Sequence, residues 1–194
     1  MAPLKFILLS SFLFLGLNFP DTVLVKNDVY SIEYSEKLEQ PVNIEYTVDC
    51  SHASGIIYSR FGMNFYTEKG IKTSDDNDYK SNIWDRGHMA PAADFSCDLD
   101  KLKKTFSYVN CALQHKDLNR GAWKDLEEYE RELAFKSIVS IKIQVEFNQS
   151  KTLSTGATIP SGFTKTIFIN GKFYQSYYFP NSKPIQSFEK YLVK

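Results

Sequence analysis

The chain has no net charge: 23 lysines and arginines are balanced by 23 aspartates and glutamates over 194 residues. Proteins that grip nucleic acid tightly usually carry a basic surplus, because neutralising phosphates releases counterions and supplies most of the affinity. The balance restricts any such role to a local basic groove, with modest affinity suited to turnover. Histidine and cysteine are scarce, three of each, and their spacing fits no zinc pattern. No internal repeat, low-complexity tract or long disordered stretch occurs. No apolar run reaches the ~20 residues that a membrane span requires. The run from Phe6 to Leu17 follows Lys5 and precedes the first acidic residue, Asp21. That pattern reads as a secretory signal over residues 1–20, with an uncleaved anchor as the alternative since no A-x-A cleavage site is present. Without arginine the segment does not suit a mitochondrial presequence. The expected location is secreted or periplasmic.

An odd number of cysteines leaves one unpaired. Cys50 and Cys97 lie in loop-like sequence and could bridge in an oxidising compartment, while Cys111 ends an apolar stretch and reads as a buried small hydrophobe. Hydrophobic residues make up 43% of the chain, enough for one well-packed domain and too short a chain for two. Residues 25–194 are expected to form it.

Residues 44–48, 55–61 and 105–109 are rich in β-branched and aromatic residues and predict strands. From 138 to 147, Val139, Ile141, Ile143 and Val145 alternate with polar residues, the pattern of a strand with one wet face. Asn170-Gly171 between 166–169 and 172–178 is a type I′ hairpin signal. Asp98 caps a short helix to Lys104. A longer helix is predicted over 117–136, where Leu118, Ala122, Leu126, Tyr129 and Leu133 recur at three- and four-residue steps. The expected class is α+β, a mainly antiparallel sheet with helices packed on it.

Chemistry concentrates in two blocks: Asp85-Arg86-Gly87-His88-Met89-Ala90-Pro91, and Asn119-Arg120-Gly121-Ala122-Trp123 continuing to Glu127 and Arg131. His88 can be neutral at working pH and accept a proton from water. Arg86, two residues away, shares its side of an extended segment and can hold phosphate. Asn119, Trp123, Glu127 and Arg131 are four apart and drift across one broad helix face. Alone, that face reads as solvated, with a Glu127–Arg131 pair at i, i+4. Beside the first block it offers an amide, a carboxylate and a guanidinium to one site. Asn119 suits Mg2+, which keeps most of its waters and takes few protein ligands, with Glu127 orienting metal-bound water. His52, His115 and Asp85 read as surface or loop-anchoring groups. Tyr174, Tyr177 and Tyr178 read as core.

These blocks resemble the DNA/RNA non-specific endonucleases that carry the DRGH motif and the ββα-metal nuclease motif. The resemblance runs roughly from Tyr58 to Tyr191. It includes Asn110-Cys111-Ala112-Leu113-Gln114, where the family commonly has Asn-x-x-Pro-Gln and Leu113 departs from the proline, and Ile159 to Lys165, similar to the family's later Pro-x-x-Phe-x-Lys block. It implies that His88 activates water, Asn119 binds hydrated Mg2+ (Mn2+ being the alternative ion), and Glu127 and Arg131 complete the site. Arg86 matches the family's transition-state arginine, Asn110 a further catalytic position, and Arg60 a further phosphate contact. The implied reaction is cleavage of DNA and RNA to 5′-phosphate and 3′-hydroxyl ends. The competing reading is a catalytically silent nucleic-acid- or partner-binding protein on the same fold.

Overall fold

A computed structural model describes residues 21–50 and 56–194. The expected signal segment, residues 1–20, lies outside them. In chain order the strands are β1 (Thr22–Lys26), β2 (Tyr30–Ser35), β3 (Gln40–Thr47), β4 (Trp84–His88), β5 (Cys111–His115), β6 (Val139–Glu146), β7 (Gly162–Ile169) and β8 (Lys172–Pro180). The α-helices are α1 (Leu99–Lys104), α2 (Lys116–Asn119) and α3 (Ala122–Ala134). β1 begins at Thr22, three residues before the expected domain start. The class is α+β, mainly antiparallel.

Six strands form one sheet in the order β1-β2-β3-β6-β7-β8, each neighbouring pair antiparallel. β6 lies inside it with the alternation its sequence announces: Val139, Ile141, Ile143 and Val145 are buried and the residues between them are half-exposed. β7 and β8 are joined by Asn170-Gly171, both at positive φ (51° and 76°), as a type I′ turn requires. The buried sheet face packs against α3, whose Trp123 meets Phe163 and Phe179 with ring centroids 5.4 and 5.7 Å apart.

β4 and β5 form a separate two-stranded antiparallel ribbon that leads into α2 and α3. Three expectations fail around this unit. Residues 56–61 are an exposed loop, Gly55 being outside the described residues; Ile56, Ile57 and Phe61 have no sheet to pack on. Residues 105–109 are not a strand either. After one bridge, Ser107 to Tyr66, the chain turns into a 3-10 segment over Tyr108–Asn110, and residues of both parities are buried. The helix predicted over 117–136 is two helices. It breaks at Arg120-Gly121, where a Cβ on Gly121 would stand 2.8 Å from the Asp117 carbonyl oxygen, so only glycine lets α3 start this close to α2.

The Cys50–Cys97 disulfide closes a separation of 47 residues, and Cys111 is free and buried. The bridge fixes Cys50 just before α1, and beside it Tyr58 N–H donates to the Ser96 carbonyl at 2.7 Å, which holds the 56–66 loop there. Among the described residues no helix is long and apolar enough to cross a membrane.

Candidate active site

β4 and β5 pair with His88 opposite Cys111 and Gly87 opposite Ala112. The pairing needs glycine at 87: a Cβ there would sit 2.6 Å from the Cβ of buried Gln114. With the ribbon closed this tightly, the ends of β4, α2 and α3 meet around a cavity of about 320 Å3. It is lined by Arg60, Arg86, His88, Asn119, Arg120, Lys124, Glu127 and Arg131, with Pro91, Ala92 and Ala93 as one wall.

His88 stands between two aromatic rings, Phe65 and Phe106, each 5.1 Å away centroid to centroid. Burial pushes its pKa down to about 3, and the Arg60 charge adds to this, both favouring the neutral imidazole. Its Nε2 is buried with no hydrogen-bond partner. A neutral imidazole in a cavity lined with cations is a proton acceptor near groups that attract phosphate.

Arg86 is fixed in place. Its Nε donates to the Tyr108 hydroxyl at 3.1 Å and its NH2 to Asp76 Oδ1 at 2.5 Å. The guanidinium carbon lies 5.0 Å from the Tyr79 ring centroid and 5.6 Å from that of Phe65. Tyr108 also donates to Asp76, closing the cluster. Arg131 is held from below by Asp94, fully buried, with NH1 to Oδ1 at 3.0 Å. This is where the structure departs from the Glu127–Arg131 pair considered from spacing alone. Burial raises the Asp94 carboxyl to about 7 despite the opposing pull of Arg131.

Asn119, at the end of α2, lines the cavity and donates its Nδ2 to Asp85 Oδ2 at 2.9 Å, which leaves Oδ1 as the amide's acceptor. Arg120 forks onto the same carboxylate at 2.7 and 2.6 Å. Asp85 therefore ties β4 to α2 and orients the amide, a larger part than the loop anchor expected of it. Glu127 lines the cavity, and its charge is felt by the buried Lys165, Asp94 and Glu130 behind it. Burial pushes its pKa up to about 8; Lys165 opposes this and the two neighbouring acids add to it. A buried carboxyl with that tendency, in the same cavity as the Asn119 amide, is a setting a divalent cation would relieve. The hard, sparse oxygen set fits Mg2+ better than a softer metal.

A model for DNA/RNA non-specific endonucleases matches residues 15–193. The chain belongs to that family. Among relatives, the nuclease of Serratia marcescens is 38% identical over 94 residues, 44% of this chain and 35% of that protein. The mitochondrial nuclease EXOG of Danio rerio is 37% identical over 89 residues, covering 42% and 26%. Human mitochondrial endonuclease G is 41% identical over 56 residues, covering 29% and 19%. The matched stretches thus span about a third or less of these relatives. The solved structure of the EndoG/EndoGI complex superimposes with a TM-score of 0.76 over 88% of this chain and 80% of that one at 22% identity, a shared fold.

Of the residues singled out from sequence, Arg86, His88, Asn119, Glu127 and Arg131 converge on the one cavity, and Arg60 joins them. Asn110 does not line it. Fully buried, it accepts from Ala90 N–H at 2.8 Å and donates to the carbonyls of Ala90 and Thr105, both at 2.9 Å. Its three hydrogen bonds make it a clamp on the backbone just after His88. Trp123 is core. Arg120, Lys124 and Asp94 were not singled out. The first two are indistinguishable by spacing from solvated helix cations, and nothing in a 37-residue separation links Asp94 to Arg131.

Proposed function

We propose that the protein is a metal-dependent endonuclease that hydrolyses phosphodiester bonds of DNA and RNA with little sequence preference, leaving 5′-phosphate and 3′-hydroxyl ends. One observation carries the reading. A neutral, desolvated His88 shares a single cavity with Arg60, Arg86 and Arg131 and with the Asn119 amide and Glu127 carboxyl. Family membership supports it.

In this mechanism Arg60 and Arg131 draw the scissile phosphate into the cavity. His88 takes a proton from water as the oxygen attacks phosphorus in line. Arg86, held rigid by Asp76, Tyr108 and the two flanking rings, already points its charge where negative charge grows on the phosphoryl oxygens, so no reorganisation is needed during the step. Asn119 and Glu127 would hold Mg2+, or Mn2+ in its place, which when bound would supply positive charge at the departing 3′ oxygen, and that oxygen takes a proton from solvent to become the 3′-hydroxyl. Asp85 keeps the Asn119 amide facing that position. The scheme uses no ribose 2′-hydroxyl, so it applies to DNA and RNA alike. The apolar segment over residues 6–17 and the disulfide both support export to a secreted or periplasmic location.

Incubation of the purified protein with supercoiled plasmid and with total RNA, with Mg2+ or with EDTA, tests the reading. Nicking and linearisation of plasmid and degradation of RNA are expected with Mg2+ and neither with EDTA. Retention of plasmid on the protein with no cleavage in any divalent metal would favour the silent binder. Undiminished cleavage in excess EDTA would remove the metal from the scheme.

A further inference from the structure

The 56–66 loop carries something the cleavage chemistry does not use. Arg60 lines the cavity, and the next residue, Phe61, is 94% exposed, more than any other large hydrophobic among the described residues. Arg60 to Met63 form a turn, with Met63 N–H donating to the Arg60 carbonyl at 3.2 Å and Gly62 at φ 79°. Phe61 N–H donates to Ser59 Oγ at 3.1 Å. Phe61 thus occupies the corner of the turn, its ring in solvent, one residue from a phosphate-seeking guanidinium. Ile56 (70% exposed) and Ile57 (60%) extend the apolar edge along the same loop.

Scattered exposed apolar residues are ordinary. This loop is different in being fastened on both sides. The Tyr58–Ser96 hydrogen bond holds one end, beside the Cys50–Cys97 disulfide, and Tyr66 pairs with Phe106 and Tyr108 backbone groups at the other. A tethered turn that holds an aromatic ring out in water has paid no packing return within the chain. An aromatic ring beside an arginine is the pairing that single-stranded nucleic acid meets, the cation on the phosphate and the ring on the base.

We propose that Phe61 is a base-stacking residue, holding by its face the nucleobase that flanks the phosphate drawn in by Arg60. The proposal deepens the nuclease reading and rests on it. Stacking tolerates any base, which suits a site without sequence readout, and it favours bases unpaired from a complementary strand. Phe61 sets strand preference; it takes no part in the chemistry.

The test is binding in EDTA at low salt, read by fluorescence anisotropy of labelled oligothymidylate and of an abasic strand of equal length, using the full chain, Phe61→Ala and Phe61→Trp. Phe61→Ala should weaken oligothymidylate binding by roughly 5- to 150-fold, the range for one lost base–aromatic stack. It should bind the abasic strand as well as the parent does. Phe61→Trp should keep the affinity, and its emission should be quenched by oligothymidylate. Equal affinity of Phe61→Ala and the parent for oligothymidylate would overturn the proposal while leaving the nuclease reading intact. So would emission that responds to phosphatidylglycerol vesicles and not to oligonucleotide, assigning the loop to a lipid surface. A parent chain that neither binds nor cleaves any strand would overturn both.

Discussion

At the scale of single residues, His88 and Asn119 lie in one cavity with different partners. His88 is desolvated between Phe65 and Phe106, whereas Asn119 has one side of its amide committed to Asp85 and the other left as an acceptor. The two substitutions should therefore fail differently. His88→Ala is expected to lower kcat by at least the ~10²–10⁴-fold typical of a lost general base, with little change in KM. Asn119→Ala should also cripple kcat, through metal occupancy, and raising Mg2+ should partly restore it; no Mg2+ concentration should restore His88→Ala. Steady-state kinetics across a Mg2+ titration read the difference, and rescue of the histidine variant alone would reverse the assigned roles. Most of these residues were legible because each blocks' chemistry is local: Arg86 and His88 share a strand, and Glu127 and Arg131 share a helix. Asp94 was not, because its pairing with Arg131 exists only once the 3-10 turn after Pro91 packs beneath α3. The clamp made by Asn110 was not legible either, since an asparagine that holds backbone and one that meets substrate look alike in sequence.

At the scale of elements, legibility follows how far the hydrophobic pattern alone decides the outcome. β6 and the Asn170-Gly171 hairpin were readable, because alternation and turn chemistry are both local. The α2–α3 break was not, because the apolar stripe Leu118, Ala122, Leu126 runs through it without interruption. Only the approach of Gly121 to the Asp117 carbonyl shows the break. It matters to the site, since the angle between the two helices places Asn119 and Arg120 against Asp85 while α3 keeps Glu127 and Arg131 on the floor. Gly121→Ala is expected to cost about 1–3 kcal/mol of stability, the usual toll of forcing an atom into a filled space. It should also reduce kcat beyond what unfolding explains, because α2 must move. Urea denaturation and kcat under folded conditions check this, and a stable variant with parental kcat would show that the helix junction is not what positions Asn119.

For the whole molecule, the site leaves a mark on stability against pH. His88 has a folded pKa of about 3 against an ordinary value of 6.5. Between the two, the unfolded chain takes up a proton that the folded chain refuses, so this stability is present above pH 6.5 and is lost as pH falls toward 3. Asp94 runs the other way. Its folded pKa, raised from 3.8 to about 7, makes its contribution complete below pH 3.8 and lost as pH rises through 7. Urea midpoints measured from pH 4 to 8 should show His88→Gln gaining on the parent as the solution is made more acidic, and Asp94→Asn gaining as it is made more alkaline. Curves parallel to the parent's would mean that neither group is desolvated as described. The balanced formal charge fits the same picture, since the cations that matter are gathered at one cavity and not spread over the surface.

The Cys50–Cys97 bridge gives the molecule a history. Before its thiols are oxidised, the loop bearing Arg60 has lost its covalent anchor to the body and keeps the Tyr58–Ser96 hydrogen bond and the Tyr66 pairing. That wall of the cavity is then held by hydrogen bonds alone, whereas the ribbon and helices that carry His88, Asn119 and Glu127 do not depend on the bridge for their own backbone pairing. In a reducing medium the cavity would thus be incompletely walled, and oxidation of the two thiols would complete it. Dithiothreitol should accordingly raise KM with a smaller effect on kcat, and reoxidation should restore it; kinetics indifferent to reduction would mean that the remaining hydrogen bonds hold the wall unaided.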